Sequence, residues 1–174
     1  MVSAPGTASS TRGAREPAVR PALASMNPKR ARLLAEWAHR TQLQPPGEPL
    51  IAHVRRVAAA TPRFARAVAW LHETLEWTSV SEEKLLSHGL SEEELRAVRL
   101  LTRSGRQGSD ASYLAHIALI AGAHGRAGDL ARAVKVADLR DRLQHPDPRA
   151  NGSRLPYEQA LEMLLDRPTA AEVS

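Results

Sequence analysis

The segment Asp129–His145, DLARAVKVADLRDRLQH, decides the fold class of this chain. Its apolar residues recur without the strict alternation of a strand, so it predicts a helix over about 128–144. Asp138 lies inside that helix, in the apolar context Val134–Leu139. A buried charge is costly unless it is paired, hydrogen-bonded or bound to a metal ion, so Asp138 needs a partner.

The composition of the whole chain agrees with a helical protein. The chain has 174 residues, the size of one ordinary domain with a tail, and 43% of them are hydrophobic. Only 3% are aromatic, so Leu, Ala and Val must build the core, which favours packed helices over sheets. The absence of cysteine excludes disulfides, thiolate zinc sites and cysteine nucleophiles. No apolar run reaches the roughly 18 residues of a membrane span.

Proline, serine and glycine signals divide the rest of the chain into further helices, separated by loops predicted at 45–49, 104–110 and 146–152. The predicted helices begin at Pro28, cover about 49–60, run from Thr61–Pro62, span Ser81 to Gly89, start at Ser91, cover about 111–123 and 128–144, and run from Pro156 to about Leu165. Together they predict a compact all-α, multi-helix bundle over residues 27–168. We expect residues 1–26 to form a disordered basic tail and residues 169–174 a flexible C-terminus.

Apolar stripes at helical spacing predict which side chains form the core. The three stripes are Leu33, Leu34, Trp37 and Ala38; Phe64, Val68, Leu71 and Leu75; and Leu95, Val98 and Leu101. Trp70 is a further predicted core residue. Ser91 and Glu94 have the spacing of a capping box, and we expect Glu92–Glu94 to be a solvated first turn.

The positive charge of the chain is concentrated at one end. The formal net charge is +5, and residues 1–32 hold six basic residues against one acidic residue. The remaining residues hold 18 of each sign and have no net charge. The basic excess is therefore a property of the tail, and a dedicated nucleic-acid partner is not expected.

Four polar residues in apolar helical contexts form the candidate site: His53, His72, Glu73 and Asp138. A divalent ion bound by two imidazoles and two carboxylates would satisfy all four groups together. Glu76 follows one turn later, on the same side as His72 and Glu73. Two simpler interpretations stay open: satisfied structural histidines, and an ion pair of Asp138 with Arg142 one turn on.

At these residues the sequence resembles the metal-dependent HD-domain phosphohydrolase superfamily, in particular the branch of guanosine polyphosphate (alarmone) hydrolases. The resemblance covers about Leu33 to Leu143. The motifs that carry it are Ala38–Gln42 followed by Gly47–His53, then Leu71–Thr78, Leu101–Arg103, Tyr113 and Val134–Asp141.

The resemblance implies a cytoplasmic hydrolase of phosphoric esters or diphosphates with a nucleotide or similar small phosphorylated substrate. His53, His72, Glu73 and Asp138 would hold one divalent ion. The resemblance implies manganese, the common metal of this branch, with iron, magnesium and zinc as alternatives. Glu76 matches the acid that orients or deprotonates the attacking water. His39 matches a structural, hydrogen-bonded histidine. No membrane partner is implied, and homo-oligomerisation is left open.

The sequence departs from the family pattern at four places near the site. Glu73 replaces an aspartate, and Trp77 replaces a second catalytic acid. Gln44–Pro46 replaces a basic, nucleotide-contacting stretch, and Arg142 replaces an asparagine near the ribose. We expect Trp77, Lys135 and Arg142 to contact the substrate.

These departures give two alternatives to a working hydrolase. The first is a catalytically degenerate HD-domain protein that binds a nucleotide or a partner without hydrolysis. The second is a small helical protein that binds nucleic acid through its basic tail, which predicts salt-sensitive binding.

Overall fold

The computed structural model describes residues 25–44, 47–103, 109–145 and 155–166, and it confirms the all-α fold. Within these residues nine α-helices pack together, with one short hairpin of two strands. The helices are α1 Pro28–Ala38, α2 Leu50–Ala60, α3 Arg66–Leu71, α4 Thr74–Trp77, α5 Glu82–Ser87, α6 Glu92–Leu101, α7 Asp110–Gly122, α8 Gly125–Gln144 and α9 Leu155–Leu165. The predicted C-terminus, most of the predicted tail, most of the loop predicted at 104–110 and all of the loop predicted at 146–152 lie outside the described residues.

The 20-residue helix α8 is the centre of the fold. It contacts α2, α3, α6, α7 and α9, and its buried residues cover a wide face, whereas Asp129 and Arg140 on the opposite side are exposed. A helix with so wide a buried face needs partners in several directions, and these five helices supply them. Within the described residues no helix is both long and apolar enough to cross a membrane.

The hairpin joins α1 to α2. Its strands, β1 Leu43–Gln44 and β2 Glu48–Pro49, are antiparallel, with Gln44 opposite Glu48. The sequence predicted only a loop here, because two-residue strands leave no alternating pattern to detect. The Gln42 side chain donates a hydrogen bond to the carbonyl of Trp77, which ties the hairpin to the end of α4.

Local capping chemistry sets the start of several helices. The side chains of Asn27, Ser81, Ser91 and Ser109 each accept a hydrogen bond from a backbone N–H in the first turn of α1, α5, α6 and α7. These bonds satisfy donors that a helix leaves unpaired at its N-terminus. The predicted starts therefore agree closely with the observed ones.

The predicted core stripes are right in part. Leu34 is buried and Ala38 is packed against the core, but Leu33 is 67% exposed and Trp37 is 54% exposed, with the Arg40 guanidinium over its ring. Because α1 packs mainly on α3, it buries a narrow face that Ala31, Leu34 and Ala35 fill.

Phe64 is a further error in the predicted stripes, since it is 53% exposed. It lies in a 3₁₀ turn, Arg63–Ala65, rather than in the helix that carries Val68 and Leu71. The 3.6-residue period does not extend across that turn. Val68, Trp70 and Leu71 are buried as predicted.

Glu94 corrects the expectation of a fully solvated first turn in α6. The predicted capping box is present, but the Glu94 side chain is 0% exposed. Its carboxylate accepts hydrogen bonds from the backbone N–H groups of Ser91 at 2.9 Å and Met26 at 3.0 Å, and from the hydroxyl of Ser25. Glu94 thus joins the start of α6 to the segment before α1, and Met26, placed in the tail by sequence, is 3% exposed.

We predict that E94A destabilises the protein by about 2 kcal/mol, because several buried donors lose a charged acceptor. Chemical unfolding of purified protein measures this loss. E92A is the matched control, since Glu92 is exposed in the same turn and should change stability by less than about 0.5 kcal/mol. Equal losses in the two variants would contradict the role given to Glu94.

His39, the C-cap of α1, is a buried structural histidine, as predicted. Its Nδ1–H donates to the side-chain carbonyl of Gln42. Burial is the main cause that lowers the pKa of His39 below 6.5, and the hydrogen bond to Gln42 opposes it in part.

Acidification should therefore remove stability that depends on His39. Below about pH 6.5 the unfolded chain binds a proton at this residue before the folded chain does. The difference in unfolding free energy between the wild type and H39Q should shrink between pH 7.5 and 5.5. Urea unfolding at both pH values measures it, and a constant or growing difference is the contrary result.

Candidate metal centre

His72 and Glu73 lie at a break in the helical path. The sequence predicted one helix from Thr61–Pro62 through Leu75, but α3 ends at Leu71 and α4 begins at Thr74. Glu73 has φ −93° and ψ −7°, away from ideal helical values. In a regular helix adjacent side chains diverge by about 100°. At this break both side chains face the same cluster.

The structure brings together the four predicted ligands, His53, His72, Glu73 and Asp138. They come from α2, the α3–α4 break and α8, and all four are buried. One possible ligand atom of each lies within 4.8 Å of those of the other three. The Oε1 atom of Glu73 is 3.4 Å from His72 Nε2 and 3.6 Å from His53 Nε2. His53 Nε2 is also 3.2 Å from Asp138 Oδ1.

Both imidazole rings are held by their Nδ1 atoms. His53 Nδ1 donates to Asp141 Oδ2 at 2.7 Å, and His72 Nδ1 donates to the carbonyl of Ala69 at 2.7 Å. These bonds turn the two Nε2 atoms towards the carboxylates. His72 Nε2 is buried and has no hydrogen-bond partner. A buried nitrogen in this state is a suitable ligand for a cation. Metal-binding histidines typically donate their other ring N–H to a carboxylate or a carbonyl, as the Nδ1 atoms of His53 and His72 do here.

The spacing of these atoms fits a single ion. Ligands about 2.1 Å from one ion lie about 3 to 4 Å apart at common coordination angles. The three separations of 3.2, 3.4 and 3.6 Å fall in that range. The buried group could therefore hold a metal ion, and its chemistry of two nitrogens and two carboxylates does not select one metal.

A second layer of charges supports His53, and sequence reasoning missed it. Asp141 accepts from His53 and from Arg56, whose Nε lies 2.7 Å from Asp141 Oδ1. Arg56 also pairs with Glu48 of the hairpin. Asp138 and Asp141 are three residues apart on α8, and this i, i+3 spacing was the available signal. The partner Arg56 lies 85 positions away, which no local pattern reveals.

Two cations on α8 contact the same carboxylates. Arg142 Nε lies 2.7 Å from Asp138 Oδ1, and Arg142 Nη2 lies 2.8 Å from Glu73 Oε1. Lys135 Nζ lies 2.7 Å from Asp138 Oδ2. The simple interpretation of Asp138 as an ion-pair partner of Arg142 is thus realised alongside the four-residue cluster. Lys135 and Arg142, predicted to contact a substrate, contact the cluster here.

These contacts shift the pKa values of the site residues. Burial raises the pKa of Glu73 and of Asp138. The nearby imidazoles of His53 and His72 and the charge of Arg142 outweigh this effect at Glu73, and the charges of Arg142 and Lys135 outweigh it at Asp138, so both pKa values lie well below normal. Burial also lowers the pKa of His53, but hydrogen bonds to Asp138, Asp141 and Glu73 outweigh that effect and raise it to about 10. In this state the carboxylates are charged and His53 is protonated.

A cavity of about 150 Å³ leads to the cluster. His72, Glu73, Asp138 and Arg142 line it, together with Glu76, Trp77, Leu101, Arg103, Lys135, Tyr113 and Tyr157. Glu76 lines the same cavity as His72 and Glu73, and its carboxylate accepts a hydrogen bond from the backbone N–H of Arg103 at 3.1 Å. Trp77 is 37% exposed.

Tyrosines and an arginine that carried no predicted role form one wall of this cavity. The Tyr113 hydroxyl is buried without a hydrogen-bond partner, and the Arg103 guanidinium lies 5.1 Å from the Tyr113 ring centroid. Tyr157 of α9 packs edge-on against Tyr113. Tyr157 lies beyond the region of family resemblance, so only the packing of α9 on α7 and α8 reveals it.

A larger depression of about 560 Å³ lies elsewhere, between α6 and the start of α8. It is more open, and two of its arginines, Arg96 and Arg99, already pair with Glu93 and Glu82. The small cavity at the four-residue cluster is therefore the better candidate site.

No protein-family model and no curated protein matches the chain.

We predict that the purified protein binds about one divalent ion per chain and that H72N weakens binding more than about 10-fold, because a ligand with no other partner is lost. Isothermal titration with Mn²⁺ and elemental analysis measure this. H88N, a change at the end of α5, is the control and should bind as the wild type does. Equal binding by H72N, or none by the wild type, would contradict the site.

Proposed function

We propose that this chain is a metal-dependent phosphohydrolase of the HD-domain type that acts on a nucleotide or similar small phosphorylated compound. The observation that carries the proposal is the buried meeting of His53, His72, Glu73 and Asp138, with the unpartnered Nε2 of His72 facing a carboxylate. Family membership rests on the resemblance of the motifs around these residues.

The four residues would hold the ion, and manganese is the metal that the resemblance favours. Histidine nitrogens and carboxylate oxygens also suit iron and zinc, and magnesium prefers oxygen. When bound, such an ion lowers the pKa of water and neutralises charge on a phosphoryl group. Asp141 and the Ala69 carbonyl keep the two imidazoles oriented for it.

Glu76 is the residue proposed to handle the proton. Its carboxylate lines the cavity beside His72 and Glu73, and the Arg103 N–H holds one of its oxygens. A carboxylate in this position can orient a water molecule and accept its proton as the water attacks phosphorus.

Cationic side chains in the cavity support a phosphorylated substrate. Arg103, Lys135 and Arg142 line it opposite three carboxylates. A bound divalent ion would compensate those carboxylates and leave the cations to attract a phosphate. The Tyr113 hydroxyl, buried and unpartnered, can donate to a phosphoryl oxygen. Trp77 lines the same cavity with an exposed indole on which a nucleobase can stack, which supports a nucleotide over a smaller phosphate ester.

A second candidate function is a binding module without turnover. The observation that favours it is the pair of bonds from Arg142 to Asp138 and Glu73, which neutralise the carboxylates without a metal. Replacement of the family's aspartate by Glu73 points the same way. Such a protein would bind a nucleotide in the cavity and leave it intact.

We predict that E76Q lowers the rate of phosphate or pyrophosphate release by about 100-fold or more while Mn²⁺ binding stays unchanged, since only proton transfer is lost. A screen of nucleotides with Mn²⁺ and a phosphate-release assay measures the rate. E73D serves as the companion variant and should keep or raise the activity of a true hydrolase. Metal binding without turnover in all three proteins would favour the binding module.

A further inference from the structure

The Arg142 guanidinium lies against two carboxylates of the proposed metal site. Its Nε and Nη2 atoms bond Asp138 Oδ1 and Glu73 Oε1 at 2.7 and 2.8 Å, and Nη2 is also 3.5 Å from His53 Nε2. The two carboxylate oxygens are among the atoms whose spacing fits a metal ion, since both lie within 3.6 Å of His53 Nε2. The guanidinium therefore uses lone pairs on both carboxylates that the ion would need.

Lys135 does not compete in this way, although it pairs with the same aspartate. Its ammonium group contacts Oδ2 of Asp138, the oxygen on the other side of the carboxylate. Arg142 is also the only one of the two that bridges both carboxylates. A guanidinium and a divalent ion on the same oxygens would repel each other strongly in a buried site.

Arg142 has room to leave the cluster. It lies in the last turn of α8, its side chain is 32% exposed, and it lines the cavity that opens beside Glu76 and Tyr113. Rotation about its side-chain bonds would move the guanidinium into that cavity without a change in the helix.

We infer that Arg142 and a divalent ion are alternative counter-ions of the Glu73–Asp138 pair, so that the ion binds only when Arg142 swings out into the cavity. This inference rests on the metal site of the proposed function and adds a residue that sets its affinity. The metal-free protein keeps its buried carboxylates neutralised by Arg142, and metal binding is weakened by the energy of breaking those bonds.

The test compares R142Q with R140Q in Mn²⁺ titrations. Arg140 is exposed on the same helix, so R140Q removes the same charge without touching the cluster. R142Q should bind Mn²⁺ at least about 10-fold more tightly than the wild type, because the ion no longer displaces a paired cation. R140Q should bind as the wild type does. Without metal R142Q should melt below R140Q, and saturating Mn²⁺ should raise its melting temperature more than that of the wild type.

The outcomes separate this inference from the proposed function. Equal or weaker Mn²⁺ binding by R142Q, with clear binding by the wild type, overturns the role of Arg142 and leaves the metal site standing. No binding by any of the three proteins overturns both. If R142Q does not fold, R142K replaces it in the test. R142K keeps a cation but cannot bridge Asp138 and Glu73 as the guanidinium does, so it should bind Mn²⁺ several-fold more tightly than the wild type. An unchanged affinity in R142K overturns the inference.

Discussion

Glu73 and Asp138 carry two negative charges into a helical core, where each side chain is at most 7% exposed. Such charges are tolerated only with close compensation, because burial removes the water that would solvate them. The fold supplies it from three directions: His53 on α2, His72 at the α3–α4 break, and Lys135 and Arg142 on α8. The relative positions of these segments are therefore constrained by electrostatics as well as by apolar packing.

Helix α8 carries the charged residues of the cluster on one side. Lys135, Asp138 and Asp141 are spaced by three residues and Arg142 lies four residues after Asp138, so their side chains lie on the same side of the helix. One rigid helix thus fixes a ligand, the group that orients a second ligand, and two compensating cations. This arrangement lets the same cluster serve either as a closed ion-pair network or as a cation site.

The sequence predicted the helices well, since their boundaries depend on local chemistry such as the capping box of Ser91 and Glu94. It predicted exposure less well, because the faces of α1 and of the turn around Phe64 are decided by which neighbour packs on them. The four candidate ligands were found as polar residues in apolar contexts and through the family resemblance. Asp141, Arg56 and Tyr157 were missed as functional groups, since their partners are distant in the chain.

The bond between the Met26 amide and the Glu94 carboxylate has a consequence for shortened forms of the protein. A polypeptide made to start at Met26 would carry its free α-ammonium group where that amide now lies. The uncharged donor would become a charged one, and the two ends of the contact would form an ion pair. Removal of the preceding residues would then preserve this anchor, and the trimmed product would hold its first helix by a charge-assisted contact.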